Sequence, residues 1–361
     1  MRNFFCHSLV MLAFILTACT EVTAIYDNPE QEAITLNAVT GIATKSAVTG
    51  TVFPTDRSIW LAAYYNAPAP HIDKSTNYFP ETEFRYKTNT DPNDPQNEWE
   101  CFSDTRFWPF DGSLKMLAYS TTNKNAYSVT WPPAANTKYT DYVEITINNV
   151  DVEDDLLCAY SDAVTKSNKA LTFTHAKAWV FWTARSNFEG KKVTTGEVAN
   201  RKNEGITVKS VTLKNVSYKA KVRAQYANSA LGYSWSDYDA VADMAAPGME
   251  SPKFLSKTIA TGETWQDTTH LGYGILVPAG QTIAKDQAVF TIEYTLHNGF
   301  KDAEKTQVND IELAYTYSLP NELLLEPGKK YHFDIQYTLQ KITVTATVTD
   351  WTVVAQSPVS L

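Results

Sequence analysis

The sequence predicts an all-β protein built as two antiparallel β-sandwich domains in tandem. Three observations carry this reading. Short segments alternate apolar and polar side chains, or run as β-branched and aromatic stretches. Pro, Gly, Asn and Asp punctuate them at the spacing of sandwich strands. No segment has the period of an amphipathic helix, and residues 238–246 are the one stretch that could manage two turns. A chain of 361 residues, 43% of them hydrophobic, is long enough for two domains with cores of their own.

The elements follow in order. Residues 1–18 carry Arg2, an apolar run over 9–16 and small residues before a cysteine, the layout of an export signal. That run is far shorter than the roughly 20 residues of a spanning helix. Leu16-Thr17-Ala18-Cys19 resembles the bacterial lipoprotein signal, and the resemblance implies that Cys19 becomes the lipid-modified first residue. Residues 20–32 are polar and turn-prone, as a tether should be. From Ala33 the chain alternates, with Ile34, Leu36 and Ala38 on one face, which predicts the first strand. A small, polar segment containing Lys45 ends it, so residues 19–45 read as lipidated tether plus first strand.

Residues 46–165 are the expected N-terminal sandwich, with strands at 59–65, 116–120, 143–148 and 156–160. Proline-rich residues 66–100 predict loop or edge structure, because proline cannot donate to a ladder. The composition break at 161–168 sets the boundary, and 166–361 form the second sandwich. Its strands are expected at 170–184, 206–218, 271–277, 288–296, 311–317, 331–339 and 342–354. In the last, Ile342, Val344, Ala346 and Val348 share a face.

Charge and motifs narrow the function. The formal net charge of −9 and pI near 5.2, without a basic cluster, argue against nucleic acid and against electrostatic binding to an anionic membrane. There is no Gly-rich phosphate loop, no G-x-S-x-G and no H-E-x-x-H. His71, His175, His270, His297 and His332 are scattered, and His175 reads as a structural residue in a strand. The sequence therefore predicts no enzyme, no cofactor and no metal. The acidic stretch 91–100 lacks the glycine of a calcium loop, and 151–155 reads as a solvated turn. Cys101 and Cys158 are a candidate disulfide in an oxidising compartment, with two independent thiols the alternative. The aromatic stretch 232–238 could stack sugars, or could serve cross-strand packing.

Four features, in this order, make the chain resemble the fimbrillins, the fimbrial subunits of Bacteroidales and their relatives. They are the lipoprotein signal with its tether; the first strand followed by Lys45-Ser-Ala-Val-Thr-Gly-Thr-Val-Phe53-Pro54; Leu171-Thr-Phe173-Thr-His175-Ala176; and Leu325-Glu-Pro327-Gly328-Lys-Lys-Tyr331 with Val344-Thr-Ala346-Thr-Val348-Thr-Asp350-Trp351. Asp267-Thr268-Thr269 is similar to the O-glycosylation acceptor of these bacteria.

The resemblance implies sandwiches of transthyretin-like or immunoglobulin-like type and export as an outer-membrane lipoprotein to the cell surface. It implies a fimbrial structural role in adhesion, with other subunits as head-to-tail partners and a host or bacterial surface ligand. A trypsin-like protease would release the first strand with its lipid, and the groove would accept a C-terminal segment of a neighbour. Here that maps to a removable strand at 33–42 and a cut after Lys45, with Arg57 the runner-up. The family usually shows Arg at the cut. The donor falls within 342–361, near Trp351, Val353 and Val354. Shaft, tip and anchor remain alternatives. A reading from a different class is a surface lipoprotein that binds glycans.

Overall fold

A computed structural model of the chain describes residues 32–40, 53–66, 77–87, 98–131, 142–186, 201–227, 230–245, 253–255, 273–300, 311–337 and 342–350. The described chain is almost entirely strand, with a single 3₁₀ turn at Lys124–Ala126. The first strands are β1 (Thr35–Thr40), β2 (Ser58–Asn66), β3 (Asn77–Lys87), β4 (Glu98–Cys101) and β5 (Ser113–Thr121). After them come β6 (Tyr127–Thr130), β7 (Tyr142–Ile147), β8 (Leu157–Val164), β9 (Ala170–His175), β10 (Ala178–Ser186) and β11 (Arg201–Val216). Next are β12 (Lys221–Ala227), β13 (Ala230–Ser236), β14 (Ala242–Ala245), β15 (Lys253–Leu255), β16 (Tyr273–Val277) and β17 (Thr282–Ile283). The last are β18 (Ala288–Phe300), β19 (Ile311–Ser318), β20 (Leu323–Leu324), β21 (Lys329–Tyr337) and β22 (Ile342–Asp350).

Seven strands close a barrel in the order β1-β4-β3-β2-β5-β8-β9. Alternate residues point inward, as the two-residue period of a strand requires, so β9 is buried at every second position. The barrel core holds Leu36, Phe53, Ile59, Leu61, Phe84, Trp99, Met116, Leu157 and Phe173. A second sheet, β13-β12-β7-β6, covers the barrel's outer face. There Trp60, Leu117, Tyr119 and Cys158 pack with Val143, Ile145, Val222 and Ala224. Covering on both faces explains why β2, β5 and β8 read as continuous apolar runs. Farther along, β16-β10-β21-β22 and β14-β11-β18-β19 share a third core around Trp182, Phe290, Tyr331, Phe333 and Tyr337.

Several expectations are corrected. The proline-rich stretch supplies two barrel strands, β3 and β4, and β3 pairs on both sides. Pro80 is tolerated because the β2–β3 register breaks there, leaving it outside regular pairing. The break expected at 161–168 is a tight turn between β8 and β9 of the same barrel, closed by a bridge from Thr165 to Asn168. The strand expected over 170–184 is two strands, parted at Ala176 and Lys177. Residues 242–245 form β14, and no helix occupies the described part of 238–246.

A buried polar network holds the junction. Arg57, just before β2, donates to the Asp154 carboxylate at 3.0 Å and to the Asp155 carbonyl at 2.5 Å. Asp154 also accepts from the Thr121 hydroxyl and from Thr122 N at 2.7 Å and Oγ1 at 2.6 Å. His175 Nδ1 is hydrogen-bonded to Asp155 at 2.8 Å, and Lys177 Nζ donates to the Asp154 carbonyl at 2.7 Å. The acidic run read as a solvated turn is therefore half interior: Asp154 and Asp155 are buried. The same loop bonds outward, with Leu276 N donating to Val152 O at 2.8 Å and Gly328 N to Lys177 O at 3.0 Å. Gly328 sits in the left-handed region (φ 67°), which suits the Glu326-Pro327-Gly328 turn to glycine.

Burial alone would raise the Asp154 pKa, but the Lys177 ammonium and the Thr121 and Thr122 donors outweigh it and hold it below the ordinary value. Removing one partner of such a buried pair strands the other charge, which costs about 3–5 kcal/mol. Asp154→Asn is expected to lose stability on that scale in urea unfolding at neutral pH. A depressed native pKa contributes stability above the unfolded value of about 3.9, lost as pH falls through the native value. The gap between wild type and variant should therefore narrow in acid, and a pH-independent gap would refute the assignment.

Candidate functional site: the slot of the first strand

β1 is the strand that closes the barrel. It runs antiparallel to β4, with Thr35 opposite Glu100 and Leu36 opposite Trp99. On its other side it runs parallel to β9, pairing Asn37 to Thr40 with Ala170 to Phe173. Ile34 and Leu36 are 1% and 0% exposed, and Ala38 is half-buried. Full burial of two such side chains is worth about 1.5–3 kcal/mol each. The approach to β1 is also tied down: Ile34 N donates to Arg106 O at 2.7 Å and Trp108 N to Glu32 O at 3.0 Å. Lys169, ion-paired with Glu98, donates from Nζ to Thr35 Oγ1 at 2.8 Å. Sequence alone gave no signal for Arg106, Trp108 or Lys169, because their role comes from strands distant in the chain.

Phe53 returns to the same core after the link containing Lys45. Its ring lies 5.1 Å from Trp99 and 4.6 Å from Phe173. The slot is thus walled by aromatic side chains that belong to the barrel without β1. β1 itself carries the minor share of the core.

Other predicted residues fall as follows. Cys19, Lys45, Trp351, Val353 and Val354 lie outside the described residues, as does Asp267-Thr268-Thr269. Arg57 is 4% exposed and paired with Asp154. Cys101 and Cys158 are both free thiols. They face different cores, Cys101 beside the barrel interior and Cys158 under the covering sheet, so the expected disulfide is not formed. Burial pushes the Cys158 thiol up to about 12. Tyr233 and Trp235 spend their polar ends internally, on Thr174 O at 3.0 Å and Ala176 O at 3.2 Å, which leaves them packing residues. Among the described residues no cluster of His, Cys, Asp and Glu could hold a metal. Glu98 and Glu100 of the calcium-loop candidate pair with Lys169 and Lys87.

At the other end of the chain, β22 lies on the edge of its sheet. It pairs with β21 over nine residues, from Lys329–Asp350 to Tyr337–Ile342. Ile342 is buried and Val344 half-buried, but residues 345–350 are exposed. The structure also exposes Phe110 (94%), on the loop that follows the Arg106–Trp108 clamp.

A family model described as fimbrillin-like matches residues 48–351, beginning beyond β1 and Lys45. No curated protein matches the sequence. Among solved structures, the chain is similar to a candidate cell adhesion protein from Bacteroides uniformis, at 16% identity over 89% of this chain and 99% of that one, with a TM-score of 0.44. A fimbrial protein from Bacteroides vulgatus is similar at 13% identity, over 88% and 99% of the two chains, with a TM-score of 0.44. A fimbrial assembly protein from Parabacteroides distasonis is similar at 12% identity over 88% and 99%, with a TM-score of 0.36.

If β1 seals the barrel as described, truncating its most buried side chain should be costly. Leu36→Ala is expected to destabilise the chain by about 2–5 kcal/mol. Denaturant unfolding of the full chain measures this, and a loss within experimental error would show that β1 is not seated in the core.

Proposed function

This chain belongs to the fimbrillin-like family, and from that premise we propose that it is a structural subunit of a cell-surface fimbria. It reaches the outer membrane as a lipoprotein on Cys19 and supports adhesion as part of a fibre, without enzymatic activity. The observation that carries the reading is the seating of β1. A strand near the N-terminus fills a seam between β4 and β9, and a link separates it from a core that already contains Phe53. Cutting that link frees the strand and its lipid together. The opened seam presents unpaired backbone and a row of apolar pockets, which an incoming strand from a neighbour satisfies at once.

Lys45 is the cut that fits. It lies in the link, between the last paired residue of β1 and Phe53. Arg57 is buried in an ion pair with Asp154 at the junction, beyond the reach of a protease acting on the folded chain. The donor comes from the C-terminal region of the neighbour, so each contact is heterologous and the chain of subunits grows without closing. Support for the glycan-binding alternative weakens, because Tyr233 and Trp235 are used in packing.

Mass spectrometry of mature N-termini in sheared fibres and in membranes tests the proposal. Fibre subunits are expected to begin at Ser46, and Lys45→Ala is expected to accumulate as membrane-bound chain acylated at Cys19. Fibres lacking this protein, with the acylated form the only mature species, would sink the fibre reading.

A further inference from the structure

We infer that the end of the barrel at which the chain enters is a bilayer-docking surface. While the subunit is held by its lipid, Phe102, Phe107 and Phe110 sit in the apolar boundary of the membrane beneath it. The inference rests on the lipoprotein reading above and adds a second contact, which fixes the orientation that a lipid on a tether leaves free.

The first support is where the chain enters. Ser58, Thr121, Leu157 and His175 are neighbours at the end of the barrel that holds the buried polar junction. At the opposite end lie Asn66, Ser113, Val164 and the start of β1, which pairs Thr35 with Glu100. Residues 102–112, which connect β4 to β5, cap that opposite end. The chain arrives against this cap. Ala33 bridges to Phe107, Trp108 N donates to Glu32 O at 3.0 Å, and Glu32 is ion-paired with Lys166. The thirteen peptide units between Cys19 and Glu32 reach at most about 45 Å. A lipid on Cys19 therefore draws this end to the membrane, and not the junction. β1 runs from the cap toward the junction, so the link containing Lys45 begins at the end of β1 that faces away from the bilayer.

The second support is the chemistry of the cap. Among the described residues, the exposed large aromatic side chains are Tyr78, Phe102, Phe107 and Phe110, and all four belong to this end. Tyr78 is tied to the cap through its hydroxyl, which donates to Phe107 O at 2.9 Å. The charges around these rings are spent on one another. Arg106 pairs with Asp104 at 3.7 Å and Lys166 with Glu32, while Asp111 accepts from the Tyr65 hydroxyl. Arg85 pairs with Glu83 at 2.9 Å and stacks on Phe102 at 3.3 Å. An aromatic, charge-paired surface suits the boundary between head groups and acyl chains. It needs no anionic lipid, in keeping with a net charge of −9. Phe110 stands out from its loop at 94% exposure. A protein partner must supply a matching pocket for such a ring, whereas a bilayer yields around it.

Photo-cross-linking to lipid reads the contact directly. The full chain is recovered from membranes, its acyl group on Cys19 is checked by mass, and it is placed at low density in phosphatidylcholine vesicles. The vesicle acyl chains carry a photoactivatable diazirine, and adducts are mapped by peptide mass. Peptides spanning 102–112 are expected to carry most of the adduct, with those containing the exposed Val241 or Leu324 at background. F110S, at a side chain too exposed to matter for folding, is expected to lower the yield on 102–112 about tenfold, the equilibrium factor that burying one such ring supplies. Added phosphatidylglycerol or salt is expected to change neither result. Adducts spread evenly over exposed residues, or an F110S yield equal to the parent's, overturn the inference and leave the lipoprotein reading standing. Adducts that require phosphatidylglycerol and vanish in salt do the same. Protection of Phe110 from hydroxyl radicals that grows with chain density, without lipid adducts, assigns the surface to a second copy and also overturns the inference. A chain recovered from membranes without acylation at Cys19 overturns the lipoprotein reading and the inference together.

Discussion

The structure depends on how its barrel is closed. Most neighbours in the barrel are antiparallel strands joined by short or moderate connections, β2 with β3, β3 with β4, and β8 with β9. β1 is different. It pairs with β4 and β9, which lie far along the chain and are not paired with each other, and its pairing with β9 is parallel. Its contribution to the core is concentrated in Ile34 and Leu36, set among aromatic residues from elsewhere. Closure therefore rests on a few side chains and two short ladders. Remove them and two adjacent edges are left with unpaired N–H and C=O groups, a template that another strand will fill.

What keeps the remaining strands in place is a network to which β1 contributes nothing. Arg57, Thr121, Asp154, Asp155, His175 and Lys177 tie the start of β2, the end of β5, the loop before β8 and the end of β9 to one another. Backbone and indole bonds extend the tie to Leu276, Gly328 and Trp235 in the second half of the chain. Buried charges are costly to desolvate, and a network of them contributes most to specifying a single arrangement when its members are hydrogen-bonded. Burial lowers the pKa of Lys177 despite the carboxylates of Asp154, Asp155 and Asp151 around it, a sign of how far from water this junction lies. The network thus ties together strands on either side of the barrel without any contribution from β1.

Much of this was legible in the sequence, and the omissions share a cause. β1 and β9 were read from alternation because each has one face in a core and one outside. β3 and β4 were missed because Pro80 and the polar residues around them look like a loop, and only pairing with distant partners makes them strands. The domain break was misplaced because the small, polar turn after β8 resembles a linker, although the next strand closes the same barrel. Asp154 and Asp155 looked solvated because a run of carboxylates gives no hint of an arginine, a histidine and a lysine arriving from three other places. Cysteine pairing failed for a similar reason. Local pattern shows that Cys158 is buried, but which core buries it is a property of the topology. For the site, the first strand was visible and its clamps were not.

An edge strand that anticipates pairing should look unlike one that avoids it. Natural edges are usually blunted by lysine, proline or a bulge. β19 follows this rule in part: its ladder with β18 is bulged and Glu312 is held by Lys209. β22 breaks it. Residues 342–349 carry no charge and no proline, and the ladder with β21 runs its full length without a register shift. Threonines on the solvent side keep the strand hydrated while leaving its backbone edge flat. Such an edge is an open template for strand pairing. β1, in turn, is held in its own slot intramolecularly, at an effective concentration of about millimolar for a short link. In the proposed assembly, cutting the link would remove that intramolecular advantage, so a single covalent event would convert a blocked subunit into one that accepts a partner.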